Sequence, residues 1–201
     1  MDNIRRAIAT FSIVAILSSF VVSTANAGAF KDVSSGAYYY DAIEALVSDD
    51  IIDATGVDTY NPGGALTRAL AAKYAVEGAG WEVTEHDTVT FKDVPKTHAQ
   101  FDVIGTAVDH EILKGYGDKP GYFGPEDTIN RAEFAMVIVK AFELNVDEDA
   151  TCAFTDVPAT EWFHDAVCTA ADYGIIAGKT ATTFAPSEKI NRADGAVMVF
   201  R

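Results

Sequence analysis

Three arginines recur in one short setting, in the stretches Leu66-Thr-Arg68-Ala-Leu70, Ile129-Asn-Arg131-Ala-Glu133 and Ile190-Asn-Arg192-Ala-Asp194. A guanidinium is a rigid planar fork of donors that suits carboxylates, and on a helix surface it also pairs with nearby acids. The residues alone leave both readings open: an ion pair at a helix start, with the acid two positions on or with a neighbouring unit, or contact with an oxygen-rich ligand. The other reactive side chains are not organised for chemistry. His86, His98, His110 and His164 lack metal-ligand spacing, and His110-Glu111 has no second histidine at position 114, so no metal is expected. The acidic run at positions 147–149 lacks the glycine and distal glutamate of a calcium loop and reads as a solvated connector. There is no nucleophile elbow and no phosphate-cradling glycine loop, and Gly115 and Gly117 sit in a turn with no preceding strand. Nothing singles out a carboxylate pair, so neither an enzyme nor a cofactor is expected.

The two cysteines, Cys152 and Cys168, lie close together in the last part of the chain. In an exported protein such a pair is read as a disulfide, because oxidising compartments let these bonds persist. Export is expected from the segment Met1 to Ala27. Arg5 and Arg6 precede an apolar run, Phe11 to Val22, and Ala25-Asn26-Ala27 follows, the pattern of a signal peptide cleaved after Ala27. A membrane anchor fits less well, since the run from Ala7 to Val22 has serines inside it and falls short of the roughly 20 residues that span a bilayer. No membrane span is therefore expected after cleavage.

The whole chain carries 30 acidic and 15 basic residues; losing Asp2, Arg5 and Arg6 with the leader leaves 29 and 13, net −16. A chain so anionic, with no basic stripe, is repelled by phosphate backbones, which excludes nucleic acid as a partner. Apolar residues at 49% and charged residues at 22% are ordinary for a globular chain with a real core.

The elements that position the arginines come in three copies. Phe30-Lys-Asp-Val33, Phe91-Lys-Asp-Val94 and Phe154-Thr-Asp-Val157 begin three units of nearly equal length. Aliphatic pairs follow at one fixed offset, Ile51-Ile52, Ile112-Leu113 and Ile175-Ile176, and Pro62, Pro125 and Pro186 each precede a motif arginine by the same interval. Early in each unit the apolar residues fall at helical spacing, as in Ala42, Ile43, Leu46 and Val47. A turn and the proline then separate this helix from a second, started by the motif. Asn130 and Asn191 are suited to cap it, with Glu133 and Asp194 placed to complete a capping box, while Thr67 caps the first copy without an acid at Leu70. Phe30, Phe91 and Phe154 are expected in the core. The units read as residues 28–88, 89–151 and 152–201 behind a leader at 1–27, each a helix, a loop and a helix, and the third has a short last helix.

The ordered set of a leading F-x-D-V, an aromatic eight positions on, a turn near glycine, a proline and a closing T-R-A-E-like helix start resembles the S-layer homology (SLH) domain in three tandem copies, over essentially all of residues 28–201. The resemblance implies an all-α, three-pronged pseudo-trimer. It also implies non-covalent attachment of an exported protein to the cell envelope, through a pyruvylated secondary wall polysaccharide or peptidoglycan-linked glycan held in grooves between repeats. Carried over to this chain, Arg68, Arg131 and Arg192 would grip carboxylate or ring oxygens, Tyr38 and Trp162 would stack on sugar faces, and Glu133 would add a polar contact. The chain departs from the pattern at Ala99, which replaces the aromatic of the second unit, at Leu70, and in the turn Ile52 to Gly56. The grooves using Arg131 and Arg192 are accordingly the first choice and the one relying on Ala99 the last, with three weak sites acting together on one polymer. The alternative is a structural S-layer or envelope protein that self-associates or scaffolds other envelope proteins without sugar binding.

Overall fold

The computed structural model describes residues 28–147 and 150–201. The leader expected at residues 1–27, and Glu148 and Asp149 of the acidic run, lie outside the described residues. Six helices follow in order: α1 Tyr40–Ser48, α2 Arg68–Gly78, α3 Phe101–Asp109, α4 Arg131–Ala141, α5 His164–Asp172 and α6 Arg192–Phe200. Among the described residues there is no sheet, only three isolated bridges, and no helix long and apolar enough to cross a membrane. These are the helix-loop-helix repeats expected from the periodicity, in the all-α class that the resemblance implies.

The repeats interlock rather than stand side by side. α2, α4 and α6 pack on one another at the centre, and each also packs on the first helix of the following repeat: α2 on α3, α4 on α5, and α6 back on α1. Three backbone bonds close the ring around the axis: Leu66 N–H donates to Ile190 O at 2.9 Å, Ile190 N–H to Ile129 O at 3.2 Å, and Ile129 N–H to Leu66 O at 3.1 Å. All three side chains are fully buried, so the motif's leading aliphatic residue is the axis of the molecule. Small residues let the central helices approach. Ala69, Ala71, Ala72 and Ala75 of α2 are buried, a Cβ on Gly78 would lie 2.4 Å from Val199, and one on Gly195 would lie 2.8 Å from Leu66.

The capping expected of the second helices is present in graded form. Asn130 accepts from Glu133 N–H at 2.8 Å and Glu133 accepts from Asn130 N–H at 2.8 Å, a full capping box. Asn191 accepts from Asp194 N–H at 2.7 Å, but the shorter Asp194 carboxylate bonds to the Asn191 amide and to Tyr38 instead of reaching back. Thr67 accepts from Leu70 N–H at 3.3 Å. The first two N–H groups of every second helix, left without intrahelical partners, are satisfied by the neighbouring repeat. Arg68 and Ala69 donate to Asp127 and Pro125, Arg131 and Ala132 to Glu188 and Pro186, and Arg192 and Ala193 to Gly64 and Pro62. The proline that precedes one arginine thus receives the helix start of another repeat.

Of the leading phenylalanines, Phe30 is buried at 3% exposure, whereas Phe91 and Phe154 are only half-buried at the edge of the core. Each lies beside a turn glycine, because a Cβ on Gly115 would fall 2.4 Å from the Phe91 ring and one on Gly178 would fall 2.6 Å from the Phe154 ring. Cys152 and Cys168 form a disulfide with Cα atoms 5.1 Å apart, tying the start of the third repeat to α5.

Candidate functional site

The motif arginines do two different things. Arg68 and Arg131 are buried, at 6% and 7% exposure, and their donors go to backbone carbonyls of the next repeat. Arg68 Nε donates to Phe123 O at 2.9 Å and its Nη2 to Lys114 O at 2.7 Å, while Arg131 Nε donates to Phe184 O at 2.9 Å and its Nη2 to Ala177 O at 2.8 Å. Of the two readings left open by the sequence, an ion pair at the helix start or contact with a ligand, neither describes these hydrogen bonds, which go to carbonyls; a buried fork is stabilised by acceptors with fixed directions, which backbone oxygens supply. Arg192 packs its guanidinium 4.5 Å from the Tyr60 ring centre, and its buried Nε has no hydrogen-bond partner.

The aspartate of each F-x-D-V motif does the matching work on the loop, a role the sequence reading did not assign. Asp32 accepts from Tyr60 and Asn61 N–H, Asp93 from Phe123 and Gly124, and Asp156 from Phe184 and Ala185, all at 2.7–2.9 Å. Burial pushes each carboxyl up, but the backbone donors and the nearby arginine outweigh it and hold all three below the usual carboxylate range. The signal was present in the sequence as an acid at one fixed offset in three units. Each aspartate pins the loop whose aromatic ring receives an arginine from the preceding repeat in the ring, and in the second and third repeats loop carbonyls receive it as well.

Where the three repeats meet, a groove of about 420 Å³ opens, with Tyr38 from the first repeat, Arg131 from the second and Ala177, Lys179, Asn191 and Asp194 from the third among its lining residues. Tyr38 is 70% exposed and its hydroxyl donates to Asp194. Partial burial and that hydrogen bond push the hydroxyl up to about 12, so it remains a neutral donor at any physiological pH. Lys179 pairs with Glu188 at 2.9 Å. Burial lowers Arg131 below its ordinary value, opposed first by the Asp194 carboxylate. The site therefore offers an exposed aromatic face, three cations (Arg131, Lys179 and Arg201), a carboxylate and an amide, a set suited to recognising a polyhydroxylated, partly anionic polymer and lacking a placed nucleophile.

The three-fold relation regroups the other residues singled out in the sequence. The positions matching Tyr38, Asp194 and Arg131 are Trp162, Glu133 and Arg68 in a second groove, and Ala99, Leu70 and Arg192 in a third. Arg192 therefore belongs with Ala99, and the two were treated as separate grooves when read from spacing alone. Trp162 is 59% exposed, and Glu133 is engaged in its capping box. Among the described residues no cluster of histidine, cysteine and acidic side chains is arranged to hold a metal ion.

Three stretches of the chain, residues 29–72, 90–135 and 153–195, match the family model for the S-layer homology domain. The middle cell wall protein of Brevibacillus brevis is 32% identical over 142 residues, covering 68% of this chain and 12% of that protein. S-layer protein EA1 of Bacillus anthracis is 27% identical over 201 residues, covering 98% of this chain and 23% of that protein. An endoglucanase of a Bacillus species is 25% identical over 214 residues, covering 99% of this chain and 22% of that enzyme. The chain spans less than a quarter of the length of each of these relatives.

Proposed function

The chain belongs to the S-layer homology domain family, and from that premise we propose that it is a non-catalytic cell-envelope module that binds wall polysaccharide non-covalently in the groove lined by Tyr38, Arg131 and Lys179. The observation that carries this reading is the Tyr38 ring, held open to solvent at the rim while its hydroxyl is fixed to Asp194. An aromatic face fixed at the rim of a groove that also holds cations and a carboxylate gives a sugar ring a matching surface for its C–H groups. Arg131 and Lys179 supply local positive charge in a chain of net −15, whose average field repels an acidic polymer. Relatives named for an S-layer and a cell wall carry a matching segment, and an endoglucanase carries one in 22% of its length, which supports attachment rather than catalysis as the task of this segment.

Co-sedimentation with purified cell walls, before and after extraction of their polysaccharide, tests the reading. Binding is expected to intact walls only and to be lost in Tyr38→Ala with the helical spectrum unchanged. Equal failure to bind both wall preparations would end it. If the protein instead assembles with rising concentration in light scattering, without walls and in Tyr38→Ala alike, the self-associating envelope protein is the better account.

A further inference from the structure

We propose that Tyr116 keeps the groove around Arg68 closed, so that this chain engages wall polysaccharide through the Tyr38 groove alone rather than through three equivalent sites. The inference rests on the function proposed above and fixes the valency of that site.

Thr55, Tyr116 and Lys179 stand at one and the same offset from the leading phenylalanines Phe30, Phe91 and Phe154. In the third repeat Lys179 turns to Glu188 and leaves Arg131 with one ring, Phe184, at 4.5 Å. In the second repeat the corresponding side chain packs on the guanidinium. Arg68 has two rings against it, Tyr116 at 4.7 Å and Phe123 at 4.8 Å. A stacked phenol occupies the surface on which a sugar or its carboxylate would otherwise meet the arginine.

Tyr116 is also anchored. Its hydroxyl donates to Asp127 at 3.1 Å, its backbone N–H to Tyr122 O at 2.9 Å, and Lys119 lies 5.9 Å from its ring centre. Asp127 O in turn accepts from Arg68 N–H, so the plug and the helix start share one residue. The backbone has made room for it. The residue following the loop aromatic is left-handed in all three repeats, at Asn61 (φ 59°), Gly124 (φ 71°) and Ala185 (φ 61°). Only the second repeat has glycine there, and a Cβ on Gly124 would lie 2.5 Å from the Tyr116 ring. The repeat with the plug has the glycine that admits it, and the repeat with alanine at that turn has lysine in place of the plug. The stretch between Phe91 and Phe123 is also longer than its counterparts Phe30–Tyr60 and Phe154–Phe184. The third groove offers neither aromatic nor acid, having Ala99 and Leu70 at those positions.

The test is isothermal titration with short oligosaccharides released from purified wall polysaccharide. The unmodified protein is expected to bind with a stoichiometry of one and Tyr38→Ala to lose it. Tyr116→Lys, which installs the third repeat's side chain, should raise the stoichiometry to two, with the Trp162 indole N–H resonance shifting in that variant and not in the unmodified protein. Gly124→Ala, which crowds the ring without removing it, should open the same groove and serves where Tyr116→Lys folds poorly. A stoichiometry of two or three in the unmodified protein, or a Trp162 shift on its titration, overturns the inference while leaving the proposed function intact. Absence of binding by every form, together with failure on intact walls, refutes the proposed function and the inference with it.

Discussion

Replacing Arg131 by methionine roughly keeps the bulk of the side chain and removes its charge and donors. Two charge-assisted hydrogen bonds are lost, to Phe184 O and Ala177 O, each contributing about 1.5–3 kcal/mol. The stacking on Phe184 at 4.5 Å contributes about 1 kcal/mol more at a buried site. Ala177 lines the open groove, so its carbonyl can recover water, which places the net cost toward the lower end, about 3–4 kcal/mol. That is a large share of the roughly 5–15 kcal/mol that separates a domain from its unfolded state. Arg131→Lys can reach one carbonyl and should cost about half as much. Arg192→Met should cost less than either Arg131→Met or Arg68→Met, because the Arg192 Nε has no partner to lose. Urea unfolding followed by far-ultraviolet circular dichroism measures this, as a shift in midpoint at constant slope. A cost below about 1 kcal/mol for Arg131→Met, with wall binding abolished, would mean that the guanidinium serves the ligand and not the joint between repeats, refuting the reasoning.

Acid stability follows from the three F-x-D-V aspartates. Their folded-state values lie below the ordinary carboxylate range, so they stabilise the fold above the unfolded value of about 4 and lose that contribution as pH falls through the folded values. Unfolding on acidification should therefore steepen below about pH 4, and a combined Asp32→Asn, Asp93→Asn, Asp156→Asn variant should be less stable at neutral pH and flatter in acid; an unchanged acid profile would contradict this. Reduction of the Cys152–Cys168 bridge, or paired replacement by serine, should cost about 3 kcal/mol for a closed loop of this size, read as a fall in midpoint temperature that dithiothreitol reproduces only in the parent. Gly178→Ala should cost about 1–3 kcal/mol, since its Cβ would meet Thr180 O at 2.3 Å and the Phe154 ring at 2.6 Å, whereas Gly36→Ala, with open space around it, should be nearly neutral.

Much of the architecture was legible in the chain because the same local rules recur three times. Asn130 and Glu133 announce a capping box, and the box is there. The helical stripes at Ile43, Ile104 and Val167 announce buried faces, and all three are fully buried. What spacing could not reveal is which repeat each side chain serves. Arg131 stands at the same offset from Phe123 in its own repeat as its counterparts do from theirs, so an intra-repeat contact and the observed reach to Phe184 in the next repeat look identical in sequence. The cyclic order comes from how the central helices pack, which is a property of the assembled ring. For the same reason Arg192 was set apart from Ala99, although the three-fold relation puts them in one groove. Tyr116 passed as a turn residue because its effect is exerted on an arginine of the preceding repeat.

The central claim is that the Tyr38 face holds the polymer, in a groove whose Arg131 joins the repeats and adds positive charge. It is tested most directly by comparing the affinity of purified wall oligosaccharides for the parent, Tyr38→Phe and Tyr38→Ala. Phenylalanine keeps the stacking face and should bind within a few-fold of the parent. Alanine removes it and should weaken binding about tenfold or more, the equivalent of about 1.4 kcal/mol, with no loss of thermal stability beyond the one hydrogen bond to Asp194. Parent-like affinity in Tyr38→Ala would contradict the account.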